Sequence, residues 1–404
     1  MKKFLNKINK IHVLAFIVLI LICVIASVVF NANKPKYNVF VRTPNLNIAR
    51  VRHTATLLND GRVLIVGGDP EIDKNALRTA EVYDPVQNKF ILLTNRTNID
   101  HSGSRAFLLK NGQVVILDYN GIELFDPKTN TFKLVSRMLI PRHDFGAVLL
   151  KDDRMLIYRG WIRNYAKNRS QDSQDVYESE IYNPINNNTY YVNKSYCIEP
   201  RDKNLIEITI NVLFECPVLL QDGKINFLGH YTNVIYDPAN NNFSRQYIPA
   251  INKNYIGSAI MLNNQKILII GKDLGNGLIF DPQSQNVFSV PNEKKITKYI
   301  DKYNLSDLCY KTILLKNGNV LITNNYLISG FMRFYTPVVK AELYNPKLNR
   351  ILPSADMNEK RYQYTATLLK NGNVLFIGGY THTAYLLWGY KDKKAAKTAE
   401  LFIP

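Results

Sequence analysis

Three arginines occupy the same place in a recurring pattern. Arg50, Arg142 and Arg361 each stand eleven residues before a polar turn, at Gly61, Asp153 and Gly372. Four further turns have His101, Val212, Asn254 and Asp307 in that place. A guanidinium offers a planar fork of donors, and three of them converging would clamp a carboxylate or sulfate with paired hydrogen bonds. A second set is aromatic and basic. Trp161, Tyr165, Phe331, Arg333, Tyr335, Tyr385, Trp388 and Tyr390 fall in three long segments, 161–178, 325–339 and 380–397, and a fourth long segment spans 69–79. Both tryptophans of the chain are among them. Aromatic rings with interspersed Arg and Lys are the side chains that protein interfaces favour. The alternative is that these rings fold inward and plug their own segments.

Other chemistries find no support. The six histidines form no ligand pair with metal spacing, and the four cysteines (23, 197, 216 and 309) include no CxxC. Cys197 and Cys216 lie close enough in sequence to pair or to stay reduced. Nucleophile elbows, HExxH and phosphate loops are absent. The expectation is therefore no catalysis, no metal and no cofactor. The net charge of +18 suits acidic partners in general. Its basic residues are dispersed, without the stacking aromatics of a strand-binding groove, which argues against nucleic acid.

The elements that must position these residues come from one repeated phrase. Two apolar residues precede a polar turn and an apolar strand; after a variable segment, a second strand ends in Asp-Pro or Asn-Pro, followed by a turn and an aromatic. The first copy runs Leu57-Leu58-Asn59-Asp60-Gly61-Arg62-Val63-Leu64-Ile65-Val66-Gly67-Gly68, then Ala80-Glu81-Val82-Tyr83-Asp84-Pro85 and Phe90. Copies with turns at Gly112, Asp153, Gly223, Gln265, Gly318 and Gly372 bring the count to seven. Each copy is a four-stranded antiparallel sheet, apolar on both faces, that must stack on its neighbours.

The segments Arg50-x-x-His53-Thr54-Ala55-Thr56, Gly67-Gly68 and Ala80-Glu81-Val82-Tyr83-Asp84-Pro85, repeated as Arg361, Thr365-Ala366-Thr367, Gly378-Gly379 and Ala399-Glu400-Leu401, resemble the kelch family and, more distantly, the galactose oxidase propeller. The middle copies are worn: the glycine doublet becomes Asp118-Tyr119, Arg159-Gly160, Gly229-His230, Gly271-Lys272 and Asn324-Asn325. The resemblance implies an all-β, seven-bladed β-propeller over residues 38–404. It also implies that Arg50, Arg142 and Arg361 stand at the mouth of the central channel, to hold a ligand or to bridge blades. The copper-radical chemistry of the galactose oxidase type would need a Tyr-His pair that this chain lacks. A carbohydrate-binding protein on the same ring is the other alternative.

The last copy ends at Pro404 without a fourth strand, and Asn38-Val39-Phe40 matches the outer-strand phrases Asn286-Val287-Phe288 and Asn130-Thr131-Phe132. Residues 38–42 are expected to complete that blade. Ahead of them, 13–30 (VLAFIVLILICVIASVVF) is an uncharged apolar run of spanning length, preceded by Lys2, Lys3, Lys7 and Lys10. This reads as one N-terminal transmembrane helix, with residues 1–12 cytoplasmic, 31–37 a short linker and the propeller extracytoplasmic. A signal peptide cleaved near Val24-Ile25-Ala26 is the alternative. The expected function is a membrane-anchored platform for a protein or an anionic polymer. Lys110, Lys151, Lys316 and Lys370, at equivalent turn positions, would meet lipid headgroups or simply face solvent.

Overall fold

Continuous burial, rather than alternation, marks the second strand in six of the seven repeats. Val63–Val66, Val114–Asp118, Met155–Tyr158, Ile225–Leu228, Ile267–Gly271 and Val374–Ile377 are buried at every residue. A strand inside a sheet that is covered on both faces needs apolar side chains on both. The computed structural model shows why. It describes residues 37–71, 75–163, 173–192, 217–228, 232–247, 256–271, 277–291, 309–329, 335–381, 384–386, 389–391 and 395–404. Over Val39–Pro404 the strands form seven four-stranded antiparallel sheets. Blades 1 to 7 begin at Thr54–Leu57, Arg105–Leu108, Gly146–Leu149, Pro217–Leu219, Ile256–Met261, Cys309–Leu314 and Thr365–Leu368.

Each adjacent pair of blades shares one apolar cluster. Val82 and Leu64 of blade 1 meet Val114 and Phe125 of blade 2, and Ile181 of blade 3 meets Phe227 and Tyr236 of blade 4. Equivalent clusters join blades 2 and 3, 4 and 5, 5 and 6, and 6 and 7. Val63, Ile65 and Tyr83 of blade 1 share another with Leu375 and Ile377 of blade 7, which closes the circle. The outer strand of blade 7 is Val39–Arg42, from the amino end, paired with Ala399–Ile403 through Phe40↔Phe402 and Val41↔Leu401. Its Phe40 ring lies 5.3 Å from Phe376 and 5.1 Å from Phe402.

Two turns repeat with their chemistry. Between first and second strands, Gly61 has φ +93°, and the turns without glycine put Asp153 and Gln265 at φ +69° and +64°. Between third and fourth strands, Asp84 Oδ1 accepts from Val86 N and Gln87 N, while Tyr83 Oη donates to Asn88 Oδ1 at 2.9 Å. Tyr182–Asn187, Tyr236–Asn241 and Tyr344–Asn349 repeat that bond.

The turn lysines take a third role besides the two expected. Lys110 donates to Lys151 O, Lys151 to Gln221 O, Lys316 to Lys370 O and Lys370 to Asn59 O. Each reaches the carbonyl of the next blade's turn, so the lysines stitch the ring on that side.

On the opposite side, three of the long second-to-third-strand segments are partly strand rather than loop. Blade 3 adds a ribbon of Trp161–Arg163 paired with Ser173–Asp175. Blade 6 lengthens its own strands to Val320–Ser329 and Tyr335–Asn345. Blade 7 carries a ribbon of Ala384–Leu386 and Gly389–Lys391. The apolar run 13–30 lies outside the described residues; among those described, no helix is long and apolar enough to cross a membrane.

Candidate functional site

Arg50, Arg142 and Arg361 are fully buried. Each reaches a glutamate on the third strand of its own blade: Arg50 Nη2 to Glu81 Oε1 at 2.7 Å, Arg361 Nη2 to Glu400 Oε1 at 3.0 Å, and Arg142 Nη2 to Glu180 Oε1. Their Nη1 atoms donate to backbone carbonyls, those of Gly67 and Thr79 for Arg50 and of Gly378 and Thr398 for Arg361. Burial lowers the pKa of Arg50 and Arg142, and Glu81 and Glu180 oppose that shift.

The carboxylates do more than neutralise. Glu81 accepts from Asn47 N and Ile48 N, Glu180 from Leu139 N and Ile140 N, Glu400 from Asn358 N and Glu359 N. Each knot thus fixes the segment that enters its blade. The bonds of these arginines run within one blade, tying its entry segment to its own sheet, rather than bridging neighbouring blades as the resemblance implied. Their glutamates were not singled out in the sequence, although each stands three residues before Asp-Pro, Asn-Pro or the equivalent Ile403-Pro404.

Blade 2 builds the knot differently. His101 Nε2 meets Glu123 Oε2 at 2.7 Å, and Nδ1 lies 3.2 Å from Ser104 Oγ and 3.5 Å from Asp118 Oδ2. Ser104 Oγ donates to Asp118 Oδ2. A serine, a histidine and an acid in contact suggest a nucleophile, but all four side chains are buried and the serine proton already faces Asp118. Burial lowers the His101 pKa, but Asp118 and Glu123 outweigh it and the net shift is upward.

What reaches the surface lies just beyond the knots. Two residues after each basic residue the backbone turns to positive φ: Arg52 at +54°, Gly103 at +70°, Asp144 at +49° and Gln363 at +55°. Glycine adopts this conformation freely, whereas other residues do so at a cost of about 1 kcal/mol. Blades 1, 3 and 7 nevertheless keep polar, exposed side chains there. Arg52 and Asp144 are 43% and 55% exposed and meet at 3.4 Å across Gly103, whose missing side chain leaves room for the guanidinium. Asp144 Oδ2 also accepts from Trp161 Nε1 at 2.9 Å.

The Trp161 ring stacks on His143 at 4.8 Å, and His143 stacks on Tyr119 at 4.3 Å, so three rings form one pile. Tyr119 is 40% exposed. Asp69, which accepts from Ser102 Oγ and lies 3.9 Å from Arg52, continues the polar side of the cluster. Burial raises its pKa, against the pull of Ser102 and Arg52.

Of the residues expected at the site, the structure thus joins Trp161 to a cluster whose other members (Tyr119, His143, Asp144, Arg52) were not expected. Tyr385 and Tyr390 are direct partners across the blade 7 ribbon, and Tyr335 opens the long third strand of blade 6. Tyr165, Phe331, Arg333 and Trp388 lie outside the described residues, as do Cys197 and Cys216.

Fold and repeat together define a kelch-like seven-bladed β-propeller. No family model matches the chain. An F-box/kelch-repeat protein of Arabidopsis thaliana is 27% identical over 132 residues, 31% of this chain and 34% of that protein. The match therefore spans about a third of that relative's length. Among solved structures, a fungal alcohol oxidase of the AA5 family, in complex with copper, aligns with a TM-score of 0.63 at 15% identity, covering 92% of this chain and 77% of the oxidase. A streptogramin B lyase aligns with a TM-score of 0.54 at 10% identity, covering 91% of this chain and 98% of the lyase. At such identities the likeness is one of fold. Among the described residues, no group of three or more His, Cys, Asp or Glu side chains is placed to hold a metal ion such as copper.

Proposed function

We propose that the chain is a binding platform that captures a protein partner through the face carrying the Tyr119–His143–Trp161 pile, and that 13–30 anchors it to a membrane with the propeller on the extracytoplasmic side. The observation that carries the binding reading is the cluster itself. An exposed Tyr119 and the half-buried His143 and Trp161 rings stand beside an exposed Arg52–Asp144 pair, whose backbone accepts an unfavourable conformation at both residues. Amphipathic rings with Arg at the centre are the groups that dominate binding energy in protein interfaces. The matched kelch-repeat protein agrees in kind, and the oxidase shares only the fold, so no reaction is proposed.

The test is capture of partners by the tagged full chain, read by mass spectrometry, beside a Tyr119→Ala/Trp161→Ala variant. The variant is expected to lose the specific partners at least tenfold while its melting temperature moves by only a few degrees, since Tyr119 is exposed and Trp161 half-buried, outside the apolar clusters between blades. Equal capture by the variant removes this face from consideration. Release of the chain from membranes by alkaline wash overturns the anchor and leaves the platform untouched.

A further inference from the structure

Blade 2 differs from blades 1 and 7 at two points that touch one another. Where those blades have arginine and a Gly-Gly doublet (Arg50 with Gly67-Gly68, Arg361 with Gly378-Gly379), blade 2 has His101 and Asp118-Tyr119. The arginines reach the carbonyl of the first glycine. A histidine ring is shorter, and the Asp118 carboxylate approaches it from that same position. One replacement answers the other, and together they exchange a cation that never titrates for one that does.

Hydrogen-bond accounting places the proton. The Ser104 hydrogen is committed to Asp118, so Ser104 Oγ can only accept from His101 Nδ1. Glu123 Oε2 faces Nε2 and likewise only accepts. Both ring nitrogens therefore carry hydrogen, and His101 is an imidazolium held between two buried carboxylates. On the blade 1 side, the nearest charged groups are Asp69, reached through Ser102, and Arg52 beyond it, with Arg50 behind Gly67. Arg105, whose guanidinium turns back to Gly103 O, stands on the blade 2 side.

The segment so held is the floor of the exposed cluster. His101 O accepts from Gly68 N at 2.7 Å, Gly103 N donates to Arg52 O at 2.9 Å, and Ser102 orients Asp69. We propose that the His101–Ser104–Asp118–Glu123 cluster is a proton-operated latch on this face: while His101 is charged, it holds residues 101–103 beneath Arg52, and loss of the proton lets that segment go. The sign follows from the raised pKa. The stabilisation is complete below the unfolded value of 6.5 and is lost as pH climbs through the higher folded value. What the latch gates rests on the binding face proposed above; the latch itself does not.

The experiment uses the purified full chain with no partner. Hydrogen exchange at the Gly68 and Gly103 amides, corrected for base catalysis, is followed from pH 6 to pH 9. It is compared with His101→Arg/Asp118→Gly, which rebuilds the blade 1 pattern. Protection in the wild type is expected to fall about tenfold or more across that range, and in the double variant by less than about threefold. Parallel curves overturn the proposal. Should the double variant fail to fold, nitrogen NMR of His101 in the wild type decides. Two protonated ring nitrogens at pH 6, titrating in step with the loss of protection, support the latch; a neutral ring at pH 6 overturns it. Capture by the Tyr119→Ala/Trp161→Ala variant reports on the face alone, so the two ideas fail separately.

Discussion

Glu180 accepts hydrogen bonds from Leu139 N, Ile140 N and Arg142, all without contact with solvent on its own side chain. Removing it leaves a buried guanidinium with no counter-charge, the situation that typically costs about 3–5 kcal/mol. Glu180→Ala should lose stability of that order in urea unfolding. Glu180→Leu combined with Arg142→Met should lose clearly less, because no charge is stranded. The repeat carries a precedent in sequence: at the positions of Arg142 and Glu180 the fourth copy has Val212 and Val234, and the fifth has Asn254 and Leu278, with no charge in either. A double variant as damaged as the single one would show that the pair contributes more than charge balance. His53 makes the opposite kind of residue. Burial, with Arg50 and Lys311 nearby, pushes its pKa down to about 3, and its Nε2 meets Thr365 Oγ1 at 2.8 Å across the seam between blades 1 and 7. Between pH 6.5 and 3 the unfolded chain binds a proton that the folded chain refuses, so stability falls with falling pH by about 1.4 kcal/mol per unit. His53→Gln, which keeps a donor toward Thr365, should flatten that slope. Unchanged slopes in paired urea titrations would place the acid sensitivity elsewhere.

At the scale of the element, what could be read in the sequence is what is local. Turn chemistry repeats because each turn needs its own residues: Asn-Gly or Asp-Gly for the positive φ at Gly61, Gly112 or Gly372, and Asp-Pro with a following Asn for the Tyr83–Asn88 bond. Those residues show the sheets wherever the phrase is intact. The knots were half legible, since a basic residue eleven positions before the turn always accompanies a glutamate on the third strand in blades 1, 2, 3 and 7. The pairing shows only once the strands are laid side by side, because 31 residues separate Arg50 from Glu81 along the chain. The ribbons were read as loops for a different reason. Apart from one bridge between Trp161 and His143, Trp161–Arg163 and Ser173–Asp175 pair with each other, outside the stacked sheets, so no buried face imposes an alternating pattern on them. The partners of Trp161 were invisible for the same geometric reason: His143 and Asp144 arrive from the entry segment of the blade, and Tyr119 from the neighbouring blade.

For the whole molecule, one strand has a standing unlike the other outer strands. Lys89–Leu92 is joined to its neighbour Ala80–Asp84 by a short turn, whereas Val39–Arg42 reaches Ala399–Ile403 only from the far end of the chain. Fraying the first leaves a ring with a loose edge. Fraying the second releases the seam where the blade 1 and blade 7 clusters meet. Reclosing that seam carries the entropy of bringing the two ends of the whole chain together. Val41 and Ile91 make a controlled comparison. They occupy equivalent places, opposite Leu401 and Val82, and are 43% and 37% exposed, so burial hardly distinguishes them. Proline at either position removes the same backbone donor from an outer strand. If closure by the amino end holds the ring, Val41→Pro should lower the melting temperature of the full chain at least about twice as far as Ile91→Pro, and should loosen hydrogen exchange in all seven blades rather than in one. Equal shifts confined to single blades would mean that each sheet stands on its neighbours' packing alone, and that the joined ends add nothing to the stability of the circle.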